Sequence, residues 1–258
     1  DEERESLLQP LRITGAHYTY LNYGRIERTP NDKERAKLKR EGAEHVETVM
    51  GFPRYWDGDY WNFKIDEFIA NNKFHLTKAK ARRKGFSYKR GSQAANTINL
   101  FPNVTVTLAA DQLAYLTDKG ATTFMAKKCL DHFEEHTFWK RGYISEAIDD
   151  ILMGYRVSTK GLKNFGWLSN LYSVAIGKNE SAAVGKKAIE IDFEEAGKCP
   201  NLQKALDVTL SNTESGAISV GTIRVYGTGG TKGANWAAFS KAFYNPKMNK
   251  MLCMENVW

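Results

Sequence analysis

Between Phe74 and Ala110 the chain reads as strand, glycine-turned loop, helix, break and strand, and this succession constrains the fold more than any other feature. Phe74-His75-Leu76-Thr77 opens a short strand within Lys73 to Lys80. A helix is predicted from Ser87 to Leu100, stopped by Pro102 and Asn103. Val104 to Ala110 is β-branched and apolar, as a buried strand is. Two strands joined through a helix lie parallel, because the crossover returns the chain to the same end of the sheet. The rest of the chain repeats this logic. Asp111 is placed to cap a helix running through Tyr115 and Phe124 toward Trp139. Leu171 to Ile176 and Lys187 to Phe193 read as strands, and residues 201–210 as a helix. Thr222 to Tyr226 reads as a further strand ending at Gly227, whereas 140–180 shows little periodicity outside its one strand. Strands alternating with helices predict an α/β fold, a mainly parallel sheet with helices on both faces.

The first fifty residues are polar and read as an N-terminal extension or lid, with a solvated helix within 30–48. The aromatic run from His17 to Tyr23 is expected to pack onto the main domain, residues 51–258. Gly51 to Phe63, with Pro53, Tyr55, Trp56, Tyr60 and Trp61, reads as an aromatic loop or hairpin. No apolar run approaches the ~20 residues a membrane helix needs, and Asp1-Glu2-Glu3-Arg4 is no signal-peptide core. Cys129, Cys199 and Cys253 are too widely spaced for a zinc site or a disulfide framework, and read as thiols of a reducing compartment.

Net charge is +7, and Lys78, Lys80, Arg82, Arg83, Lys84, Lys89 and Arg90 concentrate that surplus in one stretch. No acid lies between Glu67 and Asp111. Such a cluster is expected to seek phosphate, from nucleotide or nucleic acid. Its centre, Lys80-Ala81-Arg82-Arg83-Lys84-Gly85-Phe86-Ser87, lies between the strand and the helix. A phosphate-binding loop needs backbone N–H groups at a helix N-terminus, a glycine for close approach, cations, and a hydroxyl for Mg²⁺. Lys80, Arg82, Arg83 and Lys84 supply charge, Gly85 the bend and Ser87 the hydroxyl. The standard pattern G-x-x-x-x-G-K-S/T is not met, since Ala81 replaces the first glycine and Phe86 the lysine.

About a hundred residues on, Ile189, Ile191 and Phe193 alternate along a strand that ends in Glu194-Glu195. That edge of an α/β sheet is where ligands bind. Two acids there can hold hydrated Mg²⁺ and activate a water. Asp192 is the rival to Glu194 for the metal. Gly227-Thr228-Gly229-Gly230, after the last strand, allows close backbone approach to a ligand.

Taken in order, these segments resemble the ATPase domain of tailed-phage large terminases, which carry a deviant loop K-x-x-R-x-G-Y/F-S; Lys80, Arg83, Gly85, Phe86 and Ser87 match it. The likeness runs from about residue 15 to the end of the chain. Phe193-Glu194-Glu195-Ala196-Gly197 resembles the Walker B segment, and Gly227-Thr228-Gly229 the coupling motif. The resemblance implies a P-loop NTPase fold (ASCE, RecA-like), with ATP and Mg²⁺ as cofactors. It implies that Lys80, Arg82, Arg83, Lys84, Gly85 and Phe86 hold phosphates, and that Ser87 and Glu194 hold the metal. Glu195 would be catalytic and Arg83 a phosphate ligand or in-cis arginine. Tyr55 or Trp56 would stack on adenine, and Gly227, Thr228 and Gly229 would couple hydrolysis to movement. Asp111 to Tyr115 and Ala237 to Trp258 are similar to the corresponding terminase segments, but Val184 stands where relatives often have arginine.

The implied activity is ATP hydrolysis driving double-stranded DNA into a procapsid. Implied partners are a portal protein, a small terminase subunit and further copies in a ring, with a monomer as the isolated state and no membrane. The implied place is the host cytoplasm, transiently at the portal vertex. Only Glu255 among the acids follows Gly230, so no room is seen for a nuclease domain, and the chain is expected to be an excised ATPase part of a longer protein. Rival readings are a helicase-like translocase and a basic DNA-binding scaffold whose nucleotide site has decayed.

Overall fold

The computed structural model describes residues 12–81, 85–159, 161–184, 187–215, 218–219, 221–228, 234–247 and 250–256. Arg82, Arg83, Lys84 and Gly229 lie outside the described residues.

The chain opens with α1 (Gly15–Tyr23), whose first turn is capped by the Thr14 hydroxyl accepting from the His17 amide. β1 (Ile26–Arg28) follows, then α2 (Asp32–Arg40), closed by a capping box between Asn31 and Glu34. β2 (Val49–Gly51) pairs antiparallel with β1. α3 (Asp57–Asn72) starts where only an aromatic loop was expected. Asp57 and Asp59 in its first turn suit the positive end of a helix dipole, and left-handed Lys73 ends it.

Next come β3 (His75–Lys80), α4 (Phe86–Leu100) and β4 (Thr105–Ala110), close to the expected strand, helix and strand. The single helix expected after Asp111 is two, α5 (Ala114–Thr117) and α6 (Thr122–His136), parted at Gly120 with φ +86°. Asp111 caps neither: Leu113 and Ala121 hold the cap positions. The weakly periodic middle is β5 (Tyr143–Ala147), β6 (Asp150–Met153), an exposed hairpin β7 (Tyr155–Thr159) and β8 (Gly161–Phe165), and β9 (Asn170–Ala175). β10 (Glu190–Phe193) leads through a short 3-10 turn, Ala196–Lys198, to α7 (Leu202–Thr213). The two-residue strands β11 (Glu214–Ser215) and β12 (Ile218–Ser219), then β13 (Thr222–Thr228), α8 (Ala234–Tyr244) and β14 (Met251–Asn256) complete the order.

Eight strands form the central sheet in the order β14-β3-β13-β10-β4-β9-β6-β5. The first six run parallel, and β6 and β5 add an antiparallel edge. The loop-bearing strand β3 is separated from the acid-bearing strand β10 by β13. One apolar core joins β10 and β13 to α7 and α8 through Ile191, Phe193, Val225, Leu206 and Phe239. The other joins β4, β6 and β9 to α4 and α6 through Leu108, Ile151, Leu171, Ile98 and Phe133. Sealing both faces removes the strands from water, so they read as apolar runs.

Candidate functional site

Register builds the site. Thr228 pairs with Lys80 across β13 and β3, and Phe193 pairs with Val225 on β13 and Ala109 on β4. Lys80, Thr228 and the two residues after Phe193 therefore finish at one edge of the sheet, the C-terminal edge.

A cleft of about 380 Å³ opens there, lined by Lys80, Ala81, Gly85, Phe86, Ser87, Tyr88, Gly120, Glu195, Lys198 and Thr228. Gly85 takes left-handed angles (φ 65°, ψ 23°) as the N-cap of α4, so the helix starts within a residue of the loop. Its unpaired N–H groups and the Ser87 hydroxyl stand at the cleft wall.

The Lys80 ammonium lies 3.1 Å from Glu194 Oε2 and 3.4 Å from Glu195 Oε1. Burial alone lowers its pKa, but the two carboxylates outweigh burial and the net shift is upward. Lys80 is thus a fixed cation. The Thr122 hydroxyl donates to Glu194 Oε1 at 2.9 Å, so both oxygens of this buried carboxylate are engaged. Glu195 is more open. It takes left-handed angles (φ 49°, ψ 39°), uncommon for a residue with a Cβ, and this turn swings its side chain into the cleft wall. Thr228 Oγ1 stands 3.5 Å from Glu195 Oε2.

Phe86 sits where lysine was absent from the loop. Its ring packs on Tyr226 at 4.6 Å and lies 5.2 Å below the ammoniums of both Lys78 and Lys80. It forms a floor under the Lys80 ammonium, which reaches the cleft from the end of β3.

Asp192, the rival metal acid, does not face the cleft. It is buried beside Arg90 and Arg224, on the side of β10 opposite Ile191 and Phe193. Arg90 also holds Glu190. Burial opposes ionisation of Glu190, yet Arg90 and Arg224 hold its carboxyl down at about 2. The reading of the whole basic stretch as phosphate-seeking is corrected in part. Lys78 pairs with Asp66, Lys89 with Asp59, and Arg90 with Glu190 and Asp192, all inside the protein. The acids they satisfy lie outside that stretch of sequence, which left the charges looking unspent.

Tyr55 and Trp56 are not among the residues lining the cleft. Tyr55 stacks on His17 at 5.7 Å, and Trp56 lies 5.6 Å from the Lys89 ammonium. Gly227 does not line it either. A Cβ there would meet the Phe239 ring at 2.7 Å, so its smallness lets α8 close on β13. Tyr88, Gly120, Thr122 and Lys198 were not singled out from sequence. For Lys198 there was a signal: it falls three residues after Glu195, one 3-10 turn on.

The donor set fits a nucleotide with its cation. A helix start, a fixed lysine and a hydroxyl meet the Glu195 carboxylate across the cleft, complementing phosphate on one wall and a cation on the other, while Glu194, held by Lys80 and Thr122, is buried behind the lining residues. Among the described residues, no helix is long and apolar enough to cross a membrane.

No protein-family model matches the chain, and no curated protein matches its sequence. Solved structures do match. The HK97 bacteriophage large terminase aligns at TM-score 0.49 and 14% identity over 80% of this chain and 40% of that one. The ATPase domain of the Thermus phage P74-26 large terminase aligns at 0.48 and 14%, over 84% and 75%. The large terminase of a thermophilic bacteriophage aligns at 0.47 and 11%, over 72% of this chain and 41% of its own length. The chain therefore spans about two-fifths of the full-length large terminases to which its structure is similar.

Proposed function

We propose that this chain is the ATP-hydrolysing motor domain of a viral large terminase, driving double-stranded DNA into a procapsid. The observation that carries the reading is the meeting of Lys80, Ser87, Glu194, Glu195 and Thr228 at one sheet edge. Lys80, Gly85 and the start of α4 hold the phosphates, with Arg82, Arg83 and Lys84 as further ligands. Ser87 and Glu194 would hold Mg²⁺ once Lys80 turns from that carboxylate to the phosphates, and the ion would supply neutralisation of phosphate charge. Glu195 takes the proton of the attacking water, because it is the less buried of the two acids and reaches the cleft. Thr228, beside Glu195, senses the change and passes it to β13 and Gly227-Thr228-Gly229. Lys198 is a second cation on the cleft wall.

The order of the sheet agrees with this reading. In it, residues 1–50 act as an extension or lid on a motor domain at 51–258. The partners are the DNA, a portal protein, a small terminase subunit and further copies of this chain in a ring. The place of action is the host cytoplasm, transiently at the portal vertex.

The deciding experiment is Glu195→Gln. Turnover of ATP should fall by about 10²–10⁴, while ATP affinity in Mg²⁺, measured by calorimetry, stays near that of the parent. Turnover at the parent rate would overturn the assignment.

A further inference from the structure

Away from the cleft, the C-terminal end of α6 carries His132, Glu135 and His136. One ligand atom from each can be chosen so that all lie within 4.8 Å of one another. Positions i, i+3 and i+4 share one face of a helix, so the chain itself enforces the grouping. His132 Nδ1 lies 4.0 Å and His136 Nε2 3.6 Å from Glu135 Oε2, and the two imidazole centres are 4.1 Å apart. Ligands about 2.0–2.1 Å from a tetrahedral zinc ion stand roughly 3.3 Å from each other. Small side-chain rotations close that gap.

The two histidines open onto a groove of about 420 Å³ that also has Tyr18, Asn22, Tyr23, Arg25 and Phe52 on its walls. His132 forms its inner wall, edge-on to Phe52 at 5.4 Å. Glu135 and His136 are exposed, so a hydrated ion can enter. Two further facts favour a cation. His136 is the last residue of α6, where unpaired carbonyls give the helix its negative end. Arg25, the opposing charge, has its guanidinium over the Phe52 ring at 4.1 Å, directed at the ring face.

We propose that His132, Glu135 and His136 form a binding site for a first-row divalent metal, zinc above all. Two imidazoles and one carboxylate are ligands that zinc accepts, and they leave one tetrahedral position to water. Magnesium, which prefers oxygen ligands and keeps its waters, is not a competitor here. The site is separate from the Glu194 and Glu195 cleft and does not depend on the ATPase reading.

The test is a calorimetric titration of the untagged chain with Zn²⁺ in excess Mg²⁺, which competes at oxygen-only sites and not at imidazoles. One Zn²⁺ per chain is expected. His136→Ala, at an exposed position that leaves the helix intact by circular dichroism, should weaken binding by at least about tenfold, since losing even an indirect supporter of a metal site costs 10–100-fold. Glu135→Gln should weaken it less. With Co²⁺ as probe, the visible absorption of a low-coordinate site should appear in the parent and vanish in His136→Ala. No stoichiometric uptake by the parent, or equal affinity in His136→Ala, would overturn the proposal.

Discussion

Lys80 and Glu194, separated by 114 positions in sequence, meet as a buried ion pair at 3.1 Å. The pair ties the start of the loop before α4 to the end of the acid-bearing strand. Removing one partner strands the other's charge away from water, which costs about 3–5 kcal/mol for pairs of this kind. Lys80→Ala should therefore lose stability of that order in urea unfolding and also lose ATP turnover. A variant that melts like the parent would show that the pair contributes nothing to the fold.

Glu195 adopts its left-handed backbone at the expense of stability. Comparing two truncations isolates that cost, since both remove the carboxylate. Glu195→Gly should be more stable than Glu195→Ala by about 1–2 kcal/mol, because glycine takes positive φ freely. Both should be inactive. Equal stabilities would mean that the turn relaxes once the side chain is gone.

His17 lies between Phe63, stacked at 4.8 Å, and Tyr55 at 5.7 Å, with neither ring nitrogen hydrogen-bonded. Burial, opposed by Asp59 and reinforced by Lys89, lowers its pKa below 6.5. The unfolded chain therefore takes up a proton at a higher pH than the folded one. The stability this group contributes is complete above pH 6.5 and is lost as pH falls through the lowered value. Unfolding free energies of the parent should decline between pH 7.5 and pH 5. His17→Phe, which fits the same aromatic sandwich, should flatten part of that decline, and His132, also lowered by burial, contributes in the same direction. An unchanged slope would remove His17 from the account.

A Cβ at Gly91 would stand 2.7 Å from the Thr122 carbonyl and 2.8 Å from the Ala126 amide. Both atoms are backbone and have little freedom to retreat. Gly91→Ala should push α4 from α6 and lose about 1–3 kcal/mol, as overpacking does, despite alanine's better helix propensity. A gain in melting temperature would contradict the close approach of the two helices.

The strand from His75, the helix to Leu100 and the strand to Ala110 were legible because each has its own period and a clear stop at Pro102 or Gly85. Glu194 and Glu195 were legible at the strand end for the same reason. α3 was hidden because Gly58 and a run of aromatics look like a loop, and its buried face is partly polar, with Asp59, Asn62 and Asp66 inward. Those inward acids answer Lys89 and Lys78, so the same tertiary pairing that obscured the helix made the basic stretch look wholly available. β5, β7 and β8 were illegible because they form an edge and an exposed hairpin, where no buried face imposes alternation, and β6, which does bury Ile151 and Met153 alternately, is only four residues long.

From Lys89 to Asn99, every side chain of α4 is packed away from water, charged ones included, and Arg90 bolts the helix to β10. A rod gripped on all sides cannot tilt or slide without dismantling its surroundings. In a machine built on this chain, α4 is the anvil.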